Sequence, residues 1–283
     1  MKAQLFPAIS GIRGFVAARR RAGQTIGLVP TMGALHRGHG SLIDMARREC
    51  GVVVVSIFVN PIQFNQASDY DRYPRNLDTD LRFCEERGAD CVFAPSAEEM
   101  YPAPLDTHVD VDRLTEGLCG AHRPGHFRGV ATVVAKLFLI ILPDKAYFGE
   151  KDAQQLAVIE RMVRDLNIPV EIVPAPTVRE EDGLALSSRN KHLSGHERRI
   201  AAVLYQGLQS AAKAVAAGER DPAQVAGTAR NVITSQPEVR VEYLEVVDPA
   251  EMRPVDTIEA PVRIAVAAWV GETRLIDNVL CKP

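Results

Sequence analysis

With 283 residues, 46% of them hydrophobic and 24% charged, the chain has the composition of a globular protein with a sizeable core, enough for one large domain or two of modest size. A formal charge of −3 gives no sign of a nucleic-acid partner, and no apolar run approaches the roughly 20 residues of a membrane span. Five cysteines without a C-x-x-C pair argue against a disulfide scaffold or a zinc cluster and make a reducing cytoplasm the default setting.

Charge is unevenly spread. No Asp or Glu precedes Asp44, while Lys2, Arg13, Arg19, Arg20, Arg21 and Arg37 do. An Arg-rich, acid-poor start is also the composition of an organellar transit peptide. Ile9, Ile12, Phe15 and Val16 fall at helical spacing, however, and a strand pattern begins at Thr25, so an amphipathic first helix is the better reading.

From residue 25 to 173 short apolar strands alternate with helical stretches. Strands are expected at 25–29, 52–59, 91–93, 145–148 and 170–173, with helices at 41–50, 77–87, 132–141 and 153–166. The run VVVVSIFV reads as a strand covered on both faces. This alternation predicts an α/β fold, a Rossmann-like parallel sheet with helices on both faces. After Pro174 and Pro176 the pattern changes to helices at 197–217 and 222–234. Alternating strands follow at 239–247, 262–270 and 273–280, an α+β arrangement. The expected domains are 1–176 and 177–283, the second smaller.

The stretch LVPTMGALHRGHGSL, residues 28–42, lies at the seam of the first predicted strand and its helix. In an open parallel sheet ligands bind beyond the carboxyl ends of strands, where helix N-termini offer N–H groups to anions. Gly33, Gly38 and Gly40 let a ligand approach the backbone. His36 and His39, three residues apart, can donate to phosphate oxygens as charge builds in a transition state. Two other readings compete: a metal site, which lacks the H-E-x-x-H pattern and a nearby acid, and a pair of structural histidines satisfied by backbone. Neither a Walker loop nor a G-x-G-x-x-G follows a strand, so the usual P-loop kinases are disfavoured.

PTMGALHRGHGSL resembles the H-x-G-H signature of adenylate-forming nucleotidyltransferases and, in full, the pantothenate synthetase family. FVNPIQF, DYDRYPRNLDTD, RPGHFRGVATVV, YFGEKDAQQL and REEDGLALSSRN resemble the further blocks of that family, in the same order over residues 28–190. The resemblance implies an ATP-dependent ligase joining pantoate to β-alanine through a pantoyl adenylate, with release of pyrophosphate and then AMP. It also implies a cytoplasmic homodimer without nucleic-acid or membrane partners, the C-terminal domain serving as a lid; the run 52–59 is a candidate neighbour of the subunit interface.

The resemblance assigns catalytic roles to His36, His39, Lys151, Ser187, Ser188 and Arg189. Pro30, Thr31, Met32, Gly33, Gly38, Gly149, Asp152 and Val178 join them around ATP, with Asp152 and Gly149 near the ribose and Val178 near the adenine. Met32, Asn60, Gln63 and Gln155 would bind pantoate. Uncharged glutamines suit its hydroxyls and leave the carboxylate nucleophilic. Alternatives accompany several of these residues: Lys151 could be a surface lysine paired with Glu150 or Asp152, and residues 187–189 could be a polar interdomain loop. Arg123 and His126 read as a basic lid on the pyrophosphate side or as a Pro124-Gly125 turn. Mg2+ would accompany ATP, with Asp78 or Asp80 a candidate ligand, although an acidic helix start explains both. Another H-x-G-H nucleotidyltransferase with a phosphate acceptor would want cations where Gln63 and Gln155 stand. A nucleotide sensor would be expected to have lost His36, His39, Lys151 or Arg189.

Overall fold

Six strands with largely apolar centres form one parallel sheet: β1 (Gln4–Phe6), β2 (Ile26–Thr31), β3 (Val52–Ile57), β4 (Cys91–Phe93), β5 (Lys145–Gly149) and β6 (Glu171–Ala175). Their spatial order is β1-β4-β3-β2-β5-β6. The computed structural model describes residues 2–65 and 67–283. Helices flank the sheet: α1 (Ile9–Arg21), α2 (Arg37–Glu49), α3 (Ala67–Arg72), α4 (Leu77–Glu86), α5 (Ala97–Met100), α7 (His126–Ile141) and α8 (Ala153–Asp165), with the short α6 (Leu118–His122) between α5 and α7 in chain order. The expected α/β class is borne out. Val52, Val53, Val54 and Val55 of β3 are all buried, as a strand between two paired neighbours requires.

Contacts divide the chain into two compact units. The first comprises Met1–Val111, Arg123–Glu150 and Val158–Pro176, and the second Asp112–His122, Lys151–Ala157 and Thr177–Pro283. The sequence offered no sign of the two short excursions. Gln154 explains their pairing, because its buried amide donates to the Leu114 and Gly117 carbonyls and accepts from Cys119 N–H. In the second unit α9 (Gly195–Ala201), α10 (Val203–Ala216) and α11 (Pro222–Ile233) accompany an antiparallel sheet of β7 (Val239–Val247), β8 (Val262–Val270) and β9 (Thr273–Cys281).

Several boundaries differ from expectation for local reasons. The helix expected at 197–217 is two helices parted at Ala202, and the first begins at Gly195 because Ser194 and Glu197 form a capping box. The helix expected at 132 starts at His126, after Gly125 in the left-handed region (φ 78°). Residues 4–21 are working parts of the fold: β1 pairs with β4, and Arg20 at the end of α1 bridges to Asp144 at 2.9 Å.

β2 lies at the point where the strand order reverses. It pairs with β3 from Ile26 to Thr31, but with β5 only through Gly27 and Leu28. Beyond Leu28 no ladder pair joins the two strands, and the carboxyl ends at such a reversal are the place where open α/β sheets bind ligands. Pro30, which has no N–H to give a ladder, stands where β5 has already left.

Candidate active site

The chain leaves β2 in a tight turn. Thr31 Oγ1 donates to the Ser56 carbonyl (2.8 Å) and accepts from Gly33 N–H (3.2 Å). Gly33 (φ 82°) and Ala34 (φ 51°) both occupy the left-handed region, a conformation an alanine adopts only when its surroundings enforce it. The enforcing group is Asp80 of α4. Its carboxylate, 3% exposed, accepts from Ala34 N–H at 2.9 Å and Leu35 N–H at 2.8 Å. A Cβ on Gly33 would stand 2.9 Å from Asp80 Oδ2.

Held this way, the turn delivers His36 as the N-cap of α2. Gly38 N–H donates to His36 Nδ1 (3.1 Å), and His36 N–H donates to His39 Nδ1 (3.3 Å), a capping box made of two imidazoles. The rings lie 4.1 Å apart. A ring that accepts at Nδ1 carries its proton on Nε2, so each histidine retains Nε2–H as its donor. The expectation of open backbone N–H groups at this helix start needs correction: Gly38 N–H is already given to an imidazole. The structural reading of the histidines thus has its backbone partners, and it does not exclude the functional one.

A second cluster of the same unit contains the expected pantoate residues Met32, Asn60 and Gln63. Asn60 Nδ2 donates to Gln63 Oε1 (3.0 Å) and to the Gly129 carbonyl (3.1 Å). Gln63 Nε2 approaches Met32 Sδ at 3.1 Å. Tyr101 was missed by sequence reasoning. Burial pushes its phenol well above the ordinary value, and the hydroxyl donates to Asn60 Oδ1 (2.8 Å). Gly129 lets α7 come close, since a Cβ there would lie 2.5 Å from the Ile62 carbonyl. The G-V-A-T-V-V run in the family block was the available signal for this approach.

Arg123 and His126, expected as a basic lid or as a Pro124-Gly125 turn, lie together at the start of α7. His126 is buried at the start of α7, with Nδ1 2.9 Å from the Gln63 carbonyl and Nε2 3.2 Å from Arg123 Nη1. A carbonyl can only accept, so the ring proton is on Nδ1 and Nε2 receives the guanidinium. Both residues support the Gln63 turn.

The second unit brings together Lys151, Ser187 and Arg189, which line one narrow cleft with Asn190, Arg274 and Asp277. Lys151 is largely buried and 3.8 Å from Asp152, so the pairing considered from sequence exists only as a long contact. Ser187 caps the short 3-10 turn Ser188–His192 by accepting from Arg189 N–H at 3.2 Å. Arg179 closes the hairpin that leads there: Arg179 and Ala185 form an antiparallel bridge, and Leu186 N–H donates to the Val178 carbonyl at 2.9 Å. Arg179 also grips Asp277 with both Nη atoms, at 2.6 and 2.9 Å. Burial pushes the Asp277 carboxyl up, opposed by the guanidinium. Gly149 ends β5 with open space where a Cβ would be, and Gln155 lies on the first turn of α8.

The donor set does not suit a protein-borne metal. Asp80 gives both oxygens to the 34–35 backbone and Asp78 is exposed on the first turn of α4. Among the described residues no group of three or more His, Cys, Asp or Glu converges. No helix of the described residues is long and apolar enough to cross a membrane.

A parallel sheet whose strands part at the order reversal, with an H-x-G-H turn capping the helix beyond, is the arrangement the resemblance led us to expect of a nucleotidyltransferase. The model of the family described as pantoate-beta-alanine ligase matches residues 4–280. The chain belongs to that family. It is 54% identical to the pantothenate synthetase of Moorella thermoacetica over 98% of both chains, and 54% identical to that of Aquifex aeolicus over 97% of both. Among solved structures it is similar to the pantothenate synthetase of Thermus thermophilus (48% identity, TM-score 0.94, 99% of this chain and 100% of that one). It is also similar to the pantoate-beta-alanine ligase of Francisella tularensis, complexed with beta-gamma ATP and beta-alanine (35% identity, TM-score 0.82, covering 98% and 97%).

Proposed function

We propose that the protein uses ATP to condense pantoate with β-alanine, giving pantothenate, AMP and pyrophosphate. A pantoate carboxylate oxygen attacks the α-phosphorus of ATP, the bond to the bridging oxygen breaks, and pyrophosphate leaves with that electron pair. The β-alanine amine then attacks the mixed anhydride carbonyl, loses a proton and expels AMP.

The observation that carries the reading is the double imidazole cap. With both Nδ1 atoms accepting from backbone, His36 and His39 offer Nε2–H donors to phosphate oxygens, where charge develops as the α-phosphorus is attacked. Lys151, Ser187, Ser188 and Arg189 are taken to hold the remaining phosphate charge, each charge-assisted bond contributing about 1.5–3 kcal/mol. Pro30, Thr31, Gly33 and Gly38 would line the nucleotide, with Gly149 and Asp152 at the ribose and Val178 at the adenine. Asn60 and Gln63, oriented by Tyr101, and Gln155 would receive the pantoate hydroxyls and carboxylate, with Met32 against its apolar part.

Mg2+ would enter with ATP, keeping mostly phosphate and water ligands. The same reading has a homodimer in the cytoplasm, with 1–176 carrying the sheet and 177–283 acting as a lid. Sedimentation at graded concentrations tests the dimer.

Pantoate-dependent exchange of labelled pyrophosphate into ATP, with Mg2+ present and β-alanine absent, tests the chemistry. Exchange that needs pantoate is expected. A folded enzyme without it would exclude the adenylate route, and exchange driven instead by a phosphate acceptor would favour the other H-x-G-H transferases.

A further inference from the structure

Two adjacent residues of β9 are polar and buried in a sheet with an apolar core face. Asp277 is 4% exposed and Asn278 5%, although the residues opposite them on β8 are Val266 and Ala265. Burying an ionic group in a sheet is seldom the stable choice over an apolar one of similar volume. Their partners give a reason for them.

Successive residues of a strand point to opposite faces. Asp277 receives both Nη atoms of Arg179, and Arg179 further donates to the Gly183 carbonyl (3.0 Å) and stacks 3.9 Å above the Tyr205 ring. The hairpin so pinned runs directly into Ser187 and Arg189. Asn278 shares its face with Arg263, which donates to Asn278 Oδ1. That contact orients the amide so that Nδ2 donates to the Lys151 carbonyl at 3.0 Å. Asn278 N–H returns to Asp277 Oδ1 at 2.7 Å, tying the two halves together. Lys151 in turn helps offset the charge of Asp277.

We propose that the Asp277-Asn278 pair is a positioning device for the adenylation step, setting Lys151 by one residue and the Ser187–Arg189 segment by the other. This deepens the reading above and rests on it. Neither residue touches substrate; each acts through groups assigned to the triphosphate. Those groups lose their ligand when pyrophosphate departs, so the device matters in the first half-reaction and not in the second.

The test compares Asn278→Ala with the parent enzyme in three measurements: pantoate-dependent pyrophosphate exchange, amide formation from preformed pantoyl adenylate and β-alanine, and calorimetric binding of a non-hydrolysable ATP analogue. Displacement of a contact group by an ångström costs on the order of 10²-fold in rate. We expect exchange to fall by about 10–10²-fold with a raised KM for ATP, analogue binding to weaken, and amide formation to keep the parent rate. Arg179→Lys, which keeps the charge but not the two-pronged grip, serves as the second variant should Asn278→Ala fail to fold; the same split is expected of it. If both half-reactions drop together, in step with the folded fraction, the residues are merely structural and the proposal fails. It fails equally if neither variant changes exchange. A parent enzyme without pantoate-dependent exchange would overturn the proposed substrate instead, and analogue binding would still decide whether Asn278 positions the phosphate groups.

Discussion

Replacing Asp80 by Asn separates the clamp described for the H-x-G-H turn from any role in binding a metal. The carboxylate holds two backbone N–H groups, at 2.9 and 2.8 Å, and is 3% exposed. Asparagine has nearly the same shape but only one acceptor, so one bond survives without its charge and the other becomes two N–H groups face to face. With charge-assisted bonds contributing about 1.5–3 kcal/mol each, the change should cost about 2–3 kcal/mol. At about 2–4 °C per kcal/mol, the melting transition of the sheet unit should drop by roughly 4–12 °C. The loss does not stop at stability, because Ala34 has no reason to stay at φ 51° without the clamp and the relaxed turn carries His36 with it. Pantoate-dependent exchange should fall by about 10²-fold, and added Mg2+ should restore none of it. Calorimetry and exchange across a Mg2+ titration measure both effects. A stable Asp80→Asn enzyme with parent activity, or one rescued by excess Mg2+, would refute the reasoning.

Three further outcomes follow from the same geometry. His36→Asn should preserve the helix cap, since an amide oxygen accepts as Nδ1 does, yet lose exchange for want of Nε2–H; His36→Ala should lose exchange and about 1 kcal/mol of stability as well. Gly129→Ala sets a Cβ 2.5 Å from the Ile62 carbonyl and 2.7 Å from Gln63 Cα, so it should cost about 1–3 kcal/mol and raise the KM for pantoate more than that for ATP in steady-state kinetics. Burial raises the Glu242 carboxyl, but the Arg274 bond at 2.5 Å outweighs it and holds the group below its ordinary value of 4.5. A folded-state value below the unfolded one stabilises above the ordinary range and is lost as pH falls through the lowered value. Denaturant titrations below pH 5 should therefore show a shallower acid loss in Glu242→Gln than in the parent, and identical acid limbs would count against the pair.

How much of this was legible beforehand depended on the range of the forces involved. Periodicity fixes faces, so the central strands appear close to the expected residues, and the antiparallel strands at 239–247 and 262–270 appear at them. β1, three residues long, offers no period to read. The first turn of α2 was missed because Arg37-Gly38-His39-Gly40 is poor helix sequence, and only a cap supplied by side chains within it explains the early start. Asp80 shows the commonest ambiguity: an acid in D-T-D fits a metal ligand, a helix start or a loop clamp, and only its separation from Ala34 in space decides. Tyr101, Asp277 and Asn278 reach their partners across 41, 98 and 127 positions of sequence, beyond any local pattern. The family blocks supplied the identities that spacing could not.

The imidazole cap at the head of α2 also fixes how many protons this turn can hold. Each Nδ1 is occupied as an acceptor, so a second proton on either ring would set donor against donor and open the first turn of the helix. Two imidazolium ions 4.1 Å apart would in addition repel each other. The cap is built on neutral rings, each turned so that Nδ1 meets backbone and Nε2 lies on the other edge. Turning either ring over would take its Nδ1 from the backbone, so the helix start and the orientation of the imidazoles stand or fall together.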